Sequence, residues 1–498
     1  MRLKWRKAEP GAPRCGTLRS AWPRKLTATL FLCRKGVELN GLRLSENWNQ
    51  ANKDGKLKGE GDRSAGKDRE PTDSLERAYR LRRRAAGCIA LAACAAPDLK
   101  AQDSGPTPAQ IAEIQKAADQ GDALSEFKLG LMYSHGIGEP EDFQRAAAWY
   151  KKAADQNYAQ AQYYLGVLYE NGQGVGKDLA QAISLYRKAA AQGDVDAEYY
   201  LGVLYESGNG VPRDFQQAIA LFRKAADQGF ADAEYNLGVM YSHGEGVAKD
   251  MTAAAGWFRK AAVQGSADAE FRLGQILEDD GSSLDLAESA TWMRKAADAG
   301  NADAESAVGL MYQTGQGGAQ DSKQAVAWYT KAADQGQASA ETNLGMMYVT
   351  ADGVAQDYQQ GKALLSKAAA QNYPDAQYDL GVMYNKGIGV ALDPAQAAAW
   401  FRKSAEQGYA QGEYNLGLLY KQGAGVAQDF TQAASWFAKA AENGNPFAQY
   451  NLGVAYETGQ GVPKDVKAAM SWYRKAGQQG NEDAQRSIGR LTNQAVKP

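Results

Sequence analysis

Cysteine runs out early in this chain. Its four cysteines (Cys15, Cys33, Cys88 and Cys94) all lie within the first hundred of 498 residues. The long remainder therefore has no disulfide framework and no thiol chemistry. Histidine is scarcer still, with only His135 and His243. They fall at equivalent places three repeats apart, so they cannot share a metal, and a zinc site has no third ligand. The same scarcity removes Ser-His-Asp and Cys-His catalysis. Proline, at 14, is rare beside 54 glycines, a balance that suits helices ended by glycine rather than collagen or a proline-rich linker. No run of about 18 or more apolar residues occurs, which leaves no candidate transmembrane helix.

Charge is unevenly placed. Residues 1–100 hold 23 basic and 11 acidic side chains, whereas the rest holds 33 and 47. The near-neutral total conceals a basic leader and an acidic body. An acidic body repels phosphate backbones, so the repeats are not expected to bind nucleic acid.

The first 84 residues read as a disordered or wrongly assigned leader. They mix Trp5, Trp22 and Trp48 with basic residues, and the stretch 50–73 has almost nothing apolar to build a core. Residues 85–106 read as a targeting segment and linker. Arg82, Arg83 and Arg84 precede AAGCIALAACAA, the basic-then-apolar layout of a secretory signal. Leu91-Ala92-Ala93-Cys94 resembles a bacterial lipobox, which makes Cys94 a lipidation candidate and the only expected route to a membrane. Cleavage after Ala101, giving a soluble periplasmic protein, is the alternative. A signal this far along implies a start codon placed too far upstream, with non-Met starts at Val37 or Leu75 as options.

What is abundant is a repeat. The glycine of a Leu-Gly pair falls at 130, 166, 202, 238, 274, 309, 345, 381, 417, 453 and 489, with Val at 308 and Ile at 488 in place of Leu. The step is 36 residues throughout, except 35 between 274 and 309. Ala161, Leu165 and Tyr169 occupy one stripe of a helix. Gly172-Gln173-Gly174-Val175 then ends that helix. An aspartate follows in every unit (142, 178, 214, 250, 285, 321, 357, 393, 429 and 465), placed to cap a second helix. Seven residues on comes Trp149, 257, 292, 328, 400, 436 or 472, or else Leu185, Leu221 or Leu364. One pair cannot bury these stripes, but a stack can. The expected fold is all-α, a solenoid of about ten helix pairs. It divides into a block over 107–277, a degenerate repeat and candidate hinge over 278–300, and a block over 301–498.

The unit resembles the Sel-1-like repeat, a relative of the tetratricopeptide repeat. The likeness rests on Ala-x3-Leu-Gly-x2-Tyr, Gly-x-Gly-Val-x2-Asp, Ala-x2-Trp and Lys-Ala-Ala-x2-Gly. It implies a right-handed α/α superhelix whose first helices line a concave face. It also implies a non-enzymatic adaptor for protein or peptide partners, with many bacterial members exported to the envelope. One branch with paired repeat cysteines is linked to β-lactams, and this chain lacks those cysteines. Rival readings are a protein acting on cell-wall glycan or β-lactam, and a cytoplasmic signalling regulator. No cofactor or metal is expected.

Candidate binding residues lie two before Leu, at Phe127, Tyr163, Tyr199, Tyr235, Phe271, Tyr378, Tyr414 and Tyr450. By analogy with tetratricopeptide grooves this slot lines the concave face. Asp196 and Asp232, and Asn236, Asn415 and Asn451, flank it. Aromatic faces beside amides and carboxylates suit a peptide or a cell-wall glycan. The plainer reading is that the rings pack between repeats and the aspartates cap helices. Ser306 and Thr342 interrupt the row, and Leu277 replaces the usual Tyr just before a shortened loop.

Overall fold

The computed structural model describes residues 106–280, 283–316 and 318–495. The leader, the targeting segment and Cys94 lie outside them. Among the described residues every regular element is helical. A leading helix, α1 (Pro108–Asp119), precedes ten helix pairs and a final helix, α22 (Glu482–Ala495). The first helices of the pairs are α2 (Ala123–His135), α4 (Ala159–Asn171), α6 (Val195–Ser207), α8 (Ala231–His243), α10 (Ala267–Asp280), α12 (Ala302–Thr314), α14 (Ala338–Thr350), α16 (Pro374–Lys386), α18 (Ala410–Gln422) and α20 (Pro446–Thr458). The second helices are α3 (Phe143–Asp155), α5 (Leu179–Ala191), α7 (Phe215–Asp227), α9 (Met251–Val263), α11 (Ser283–Asp298), α13 (Ser322–Asp334), α15 (Tyr358–Ala370), α17 (Pro394–Glu406), α19 (Phe430–Glu442) and α21 (Val466–Gln478). Each helix packs on its chain neighbours, so the core runs along a stack.

The caps form as their residue types require. Asp178 accepts from the Gln181 N–H at 2.9 Å, opening α5. Its own N–H donates to the Tyr169 carbonyl at 2.8 Å, which fastens the loop to the helix before it. The same two contacts recur in nine units, and in the shortened unit Asp285 falls inside α11. Losing such a cap costs roughly 1 kcal/mol. The loop glycines are held by neighbours too. Gly174 has φ +68°, and a Cβ there would lie 2.2 Å from the Phe143 carbonyl carbon of the unit before.

The Leu-Gly glycine has a specific cause. The residue after the Trp position is Tyr150, Tyr186, Phe222, Phe258, Tyr329, Phe401, Phe437 or Tyr473, and all eight are buried. Each ring packs against the Leu-Gly glycine of its own unit. A Cβ on Gly381 would sit 2.5 Å from Phe401, and one on Gly166 would sit 2.7 Å from Tyr186. Sequence inspection favours the tryptophans as the buried stripe, but they are only half-buried, and the ring one place later is the true core residue. Burying a ring of this size contributes about 1.5–3 kcal/mol. Where the ring is missing, Met293 covers Gly274 and Leu365 covers Gly345.

A second recurrent contact clasps each pair. The residue after the small Ala slot is Glu or Gln in every unit and is buried in most. An amide at the end of the second helix donates to it, as in Gln228 to Glu198 at 2.9 Å, Gln264 to Glu234 at 2.7 Å and Gln407 to Gln377 at 2.8 Å. Burial raises the Glu198 and Glu234 carboxyls, while the amide and a nearby lysine oppose that shift. In the shortened unit Ala299 stands where the amide should be, opposite Glu270. That unit nonetheless closes: α10 and α11 lengthen to 14 and 16 residues, and Ser289 donates to the Gly274 carbonyl at 2.7 Å.

Two glycines separate packing from propensity. Gly381→Ala forces a Cβ into Phe401 and is expected to destabilise by about 1–3 kcal/mol. Gly489→Ala, where no atom lies within 4 Å of the added Cβ, is expected to stabilise by up to about 1 kcal/mol. Urea unfolding of both variants reads the two signs directly.

Candidate functional site

The first helices form the more crowded row. α12 touches α14 and α16 touches α18 across successive units, and no two second helices of the described residues approach as closely. The first-helix row is therefore taken as the inner one.

On that row the slot five before Leu recurs as a column. It holds Leu124, Gln160, Asp196, Asp232, Asp268, Asp303, Ser339, Asp375, Gln411, Phe447 and Asp483. Beside its acidic members stand two apolar ones, Leu124 and Phe447, which are 42% and 52% exposed. Carboxylates suit this place because each sits in the first turn of a helix, near its positive end. Several are held by the residue that opens the next first helix. Asn301 donates to Asp268 at 2.8 Å, Gln337 to Asp303 at 3.2 Å, and the Tyr409 hydroxyl to Asp375 at 2.8 Å. Asp196 faces Phe230 at the equivalent place. Its carboxyl is raised by the surrounding protein and, secondarily, by Asp194.

The aromatic row differs from expectation. Phe127, Tyr199, Tyr235 and Phe271 are buried and present no open ring face. The first three rings pack on the core ring of the same unit: Phe127 on Tyr150 at 5.8 Å between centroids, Tyr199 on Phe222 at 5.7 Å and Tyr235 on Phe258 at 5.4 Å. The cause is the Leu-Gly glycine, which brings the second helix so close that its ring reaches the first helix's aromatic. Tyr163, Tyr378, Tyr414 and Tyr450 make the same contact, at 5.7, 5.8, 5.9 and 5.7 Å, but stay half-exposed. Tyr378 and Tyr414 gain a second ring each, from Tyr409 and Phe447. Aromatic surface on the inner row is thus concentrated in the C-terminal units.

The asparagines split likewise. Asn236 is buried and donates to the Tyr199 hydroxyl at 3.4 Å, a link between units rather than a ligand contact. Asn415 and Asn451 are half-exposed and donate to the Gln411 and Phe447 carbonyls, both at 2.9 Å. Asn451 also accepts from Lys421 at 3.1 Å. Asp232 is half-exposed. Together, Asp375, Tyr378, Tyr409, Tyr414, Asn415, Phe447, Tyr450 and Asn451 form the most continuous stretch of candidate surface. Asp379, which sequence inspection passes over, lies beneath it. It is 8% exposed, and its carboxyl is pushed well above the ordinary range by burial and then by Asp375.

The outer row carries a different pattern. Lys152, Lys260 and Lys331 lie 3.7, 3.9 and 3.7 Å from the ring centres of Trp149, Trp257 and Trp328, and four further units repeat this. Such stacking contributes about 0.5–1 kcal/mol at exposed sites. The two histidines also have local roles. His135 and His243 turn Nδ1 onto the carbonyls of Leu131 and Val239, 2.9 and 3.0 Å away. Among the described residues no three His, Cys, Asp or Glu side chains are grouped to hold a metal, and no helix is long and apolar enough to cross a membrane.

The comparisons agree with this geometry. Ten Sel1 repeats match without a gap from residue 123 to 481, all 36 residues long except 267–301, which is 35. The chain belongs to the Sel1 repeat family. Its helix-pair solenoid is the scaffold fold typical of protein–protein interaction, and members are generally non-catalytic. The chain is similar to a protective antigen of uropathogenic Escherichia coli with an SLR fold: 37% identity, 76% of this chain and 82% of the antigen, TM-score 0.65. It also matches a Sel1 repeat protein of Oxalobacter formigenes: 33% identity, 69% and 89% coverage, TM-score 0.38. Among curated proteins none matches.

Asp379 makes a signed prediction. A carboxyl raised by folding binds its proton more tightly in the folded chain, so stability falls as pH rises from about 4 up through the folded pKa. Asp379→Asn removes that fall. The variant is expected to match the parent near pH 4 and to exceed it in melting temperature at pH 8. Melting curves across that range check the sign.

Proposed function

We propose that this chain is a non-catalytic scaffold of the bacterial cell envelope that holds a protein or peptide partner along its first-helix face. The observation that carries the reading is the division of that face. Tyr163 apart, its N-terminal rings are consumed by packing, whereas its C-terminal units keep half-exposed tyrosines, an exposed Phe447 and amides on one continuous surface. Apolar and aromatic anchors rimmed by polar groups are how proteins hold proteins. The basic-then-apolar stretch ending at Cys94 supports export, with lipidation of Cys94 as the membrane anchor. The bacterial source of both relatives is consistent with that setting.

Photocrosslinking in the native cell tests this. A photoreactive residue at Phe447 is expected to capture a protein partner, and one at Val263, 74% exposed at the end of α9, is expected to capture none. Capture from Val263 alone would reject the inner-face reading, and capture of glycan alone would favour a cell-wall ligand. Mass spectrometry of the captured chain reads its N-terminus: a lipidated Cys94 is the expected result. Residues 85–94 retained in the mature protein would place it in the cytoplasm.

A further inference from the structure

Where the slot just before Leu holds asparagine, its amide meets a tyrosine. Three of the four asparagines meet a tyrosine 37 positions earlier: Asn236 with Tyr199, Asn415 with Tyr378, Asn451 with Tyr414. Asn343, which follows Ser306 instead of a tyrosine, turns to Tyr329, 14 positions earlier. Asp379 has neither partner. Thr342 stands 37 positions before it, and its hydroxyl donates to its own helix at the Ala338 carbonyl. Leu365 stands 14 positions before it and has no hydroxyl. A carboxyl therefore stands in this unit where neither tyrosine hydroxyl is present.

Asp379 is 8% exposed as a residue, and among the described residues neither a hydrogen bond nor an ion pair reaches its carboxyl. One turn earlier on α16, Asp375 adds a second carboxylate, half-exposed and bonded to Tyr409. The Tyr378 and Tyr409 rings stand side by side, 5.7 Å between centroids, at the same spot. A largely buried acid without a protein donor gains from a charged partner. Its placement beneath a second acid and two rings suits a planar cation, because a guanidinium pairs with carboxylates in a fork and stacks on tyrosine.

We propose that Asp375 and Asp379, flanked by Tyr378 and Tyr409, form a subsite for an arginine side chain of the protein partner. The inference rests on the reading that a protein occupies the first-helix face. The surplus of acidic residues in the repeats favours the approach of a basic segment.

Calorimetric titration of the full chain with acetyl-Gly-Gly-Arg-Gly-Gly-amide, and with its citrulline counterpart, tests the subsite. The arginine peptide is expected to bind at least tenfold more tightly than the citrulline peptide. Asp379→Asn and, separately, Asp375→Asn should abolish that preference, while Asp155→Asn on the outer row should keep it. Loss of binding in Asp379→Asn together with its higher melting temperature would mark a ligand group rather than a structural one. Equal affinity for both peptides, or an unchanged preference in Asp379→Asn, would overturn the proposal. So would a heat of binding from calcium chloride that Asp379→Asn removes, with none from the arginine peptide. If Phe447 captures a protein whose binding ignores Asp379, the subsite fails and the scaffold reading stands. If the arginine preference holds while no protein is captured from the inner face, the scaffold reading fails instead.

Discussion

A ring laid on a bare backbone is the contact on which the rest depends. The Leu-Gly glycine removes a Cβ in the middle of each first helix, at a helix-propensity cost of about 1 kcal/mol. The second helix then comes near enough for Tyr, Phe, Met or Leu to cover the gap. That approach sets the spacing within a pair, brings the first-helix aromatic onto the same ring, and lets the amide clasp reach its buried Glu or Gln. Interiors are packed too tightly for any one of these contacts to shift alone.

Much of this was legible in the sequence, and the reason is periodicity. A 36-residue step, a small residue four before Leu, and Gly-x-Gly-Val before Asp are local signals of helix faces and helix ends, and each led to the right element. The shortened unit was visible as a step of 35. What escaped was anything decided by which helix meets which. Trp149 looks like a core residue by size, yet Tyr150 is the one on the glycine. The Glu or Gln after the small slot recurs in every unit and could have been found by its invariance within the chain. It was passed over because an acid there reads as surface.

The site was less legible for the same reason. Tyr199 and Tyr235 are indistinguishable from Tyr414 and Tyr450 by register, and only the packing around them separates buried rings from half-exposed ones. Asp379 is invisible as a single residue. It stands out once Thr342 and Leu365 are placed beside it, 37 and 14 positions earlier. The informative residues on the inner face are thus departures from the repeat, since the residues that obey it are occupied with holding the units together.

A double-mutant cycle between positions 381 and 401 tests the central contact most directly. Leu365 already covers Gly345 in a neighbouring unit, where the nearest side-chain atom to an added Cβ is 3.1 Å away rather than the 2.5 Å found at Gly381. The account predicts that Gly381→Ala is much less destabilising in a Phe401→Leu background than in the parent, with a coupling of about 1 kcal/mol or more in urea unfolding. Additive costs within about 0.3–0.5 kcal/mol would contradict it, because the glycine would then be serving something other than the ring.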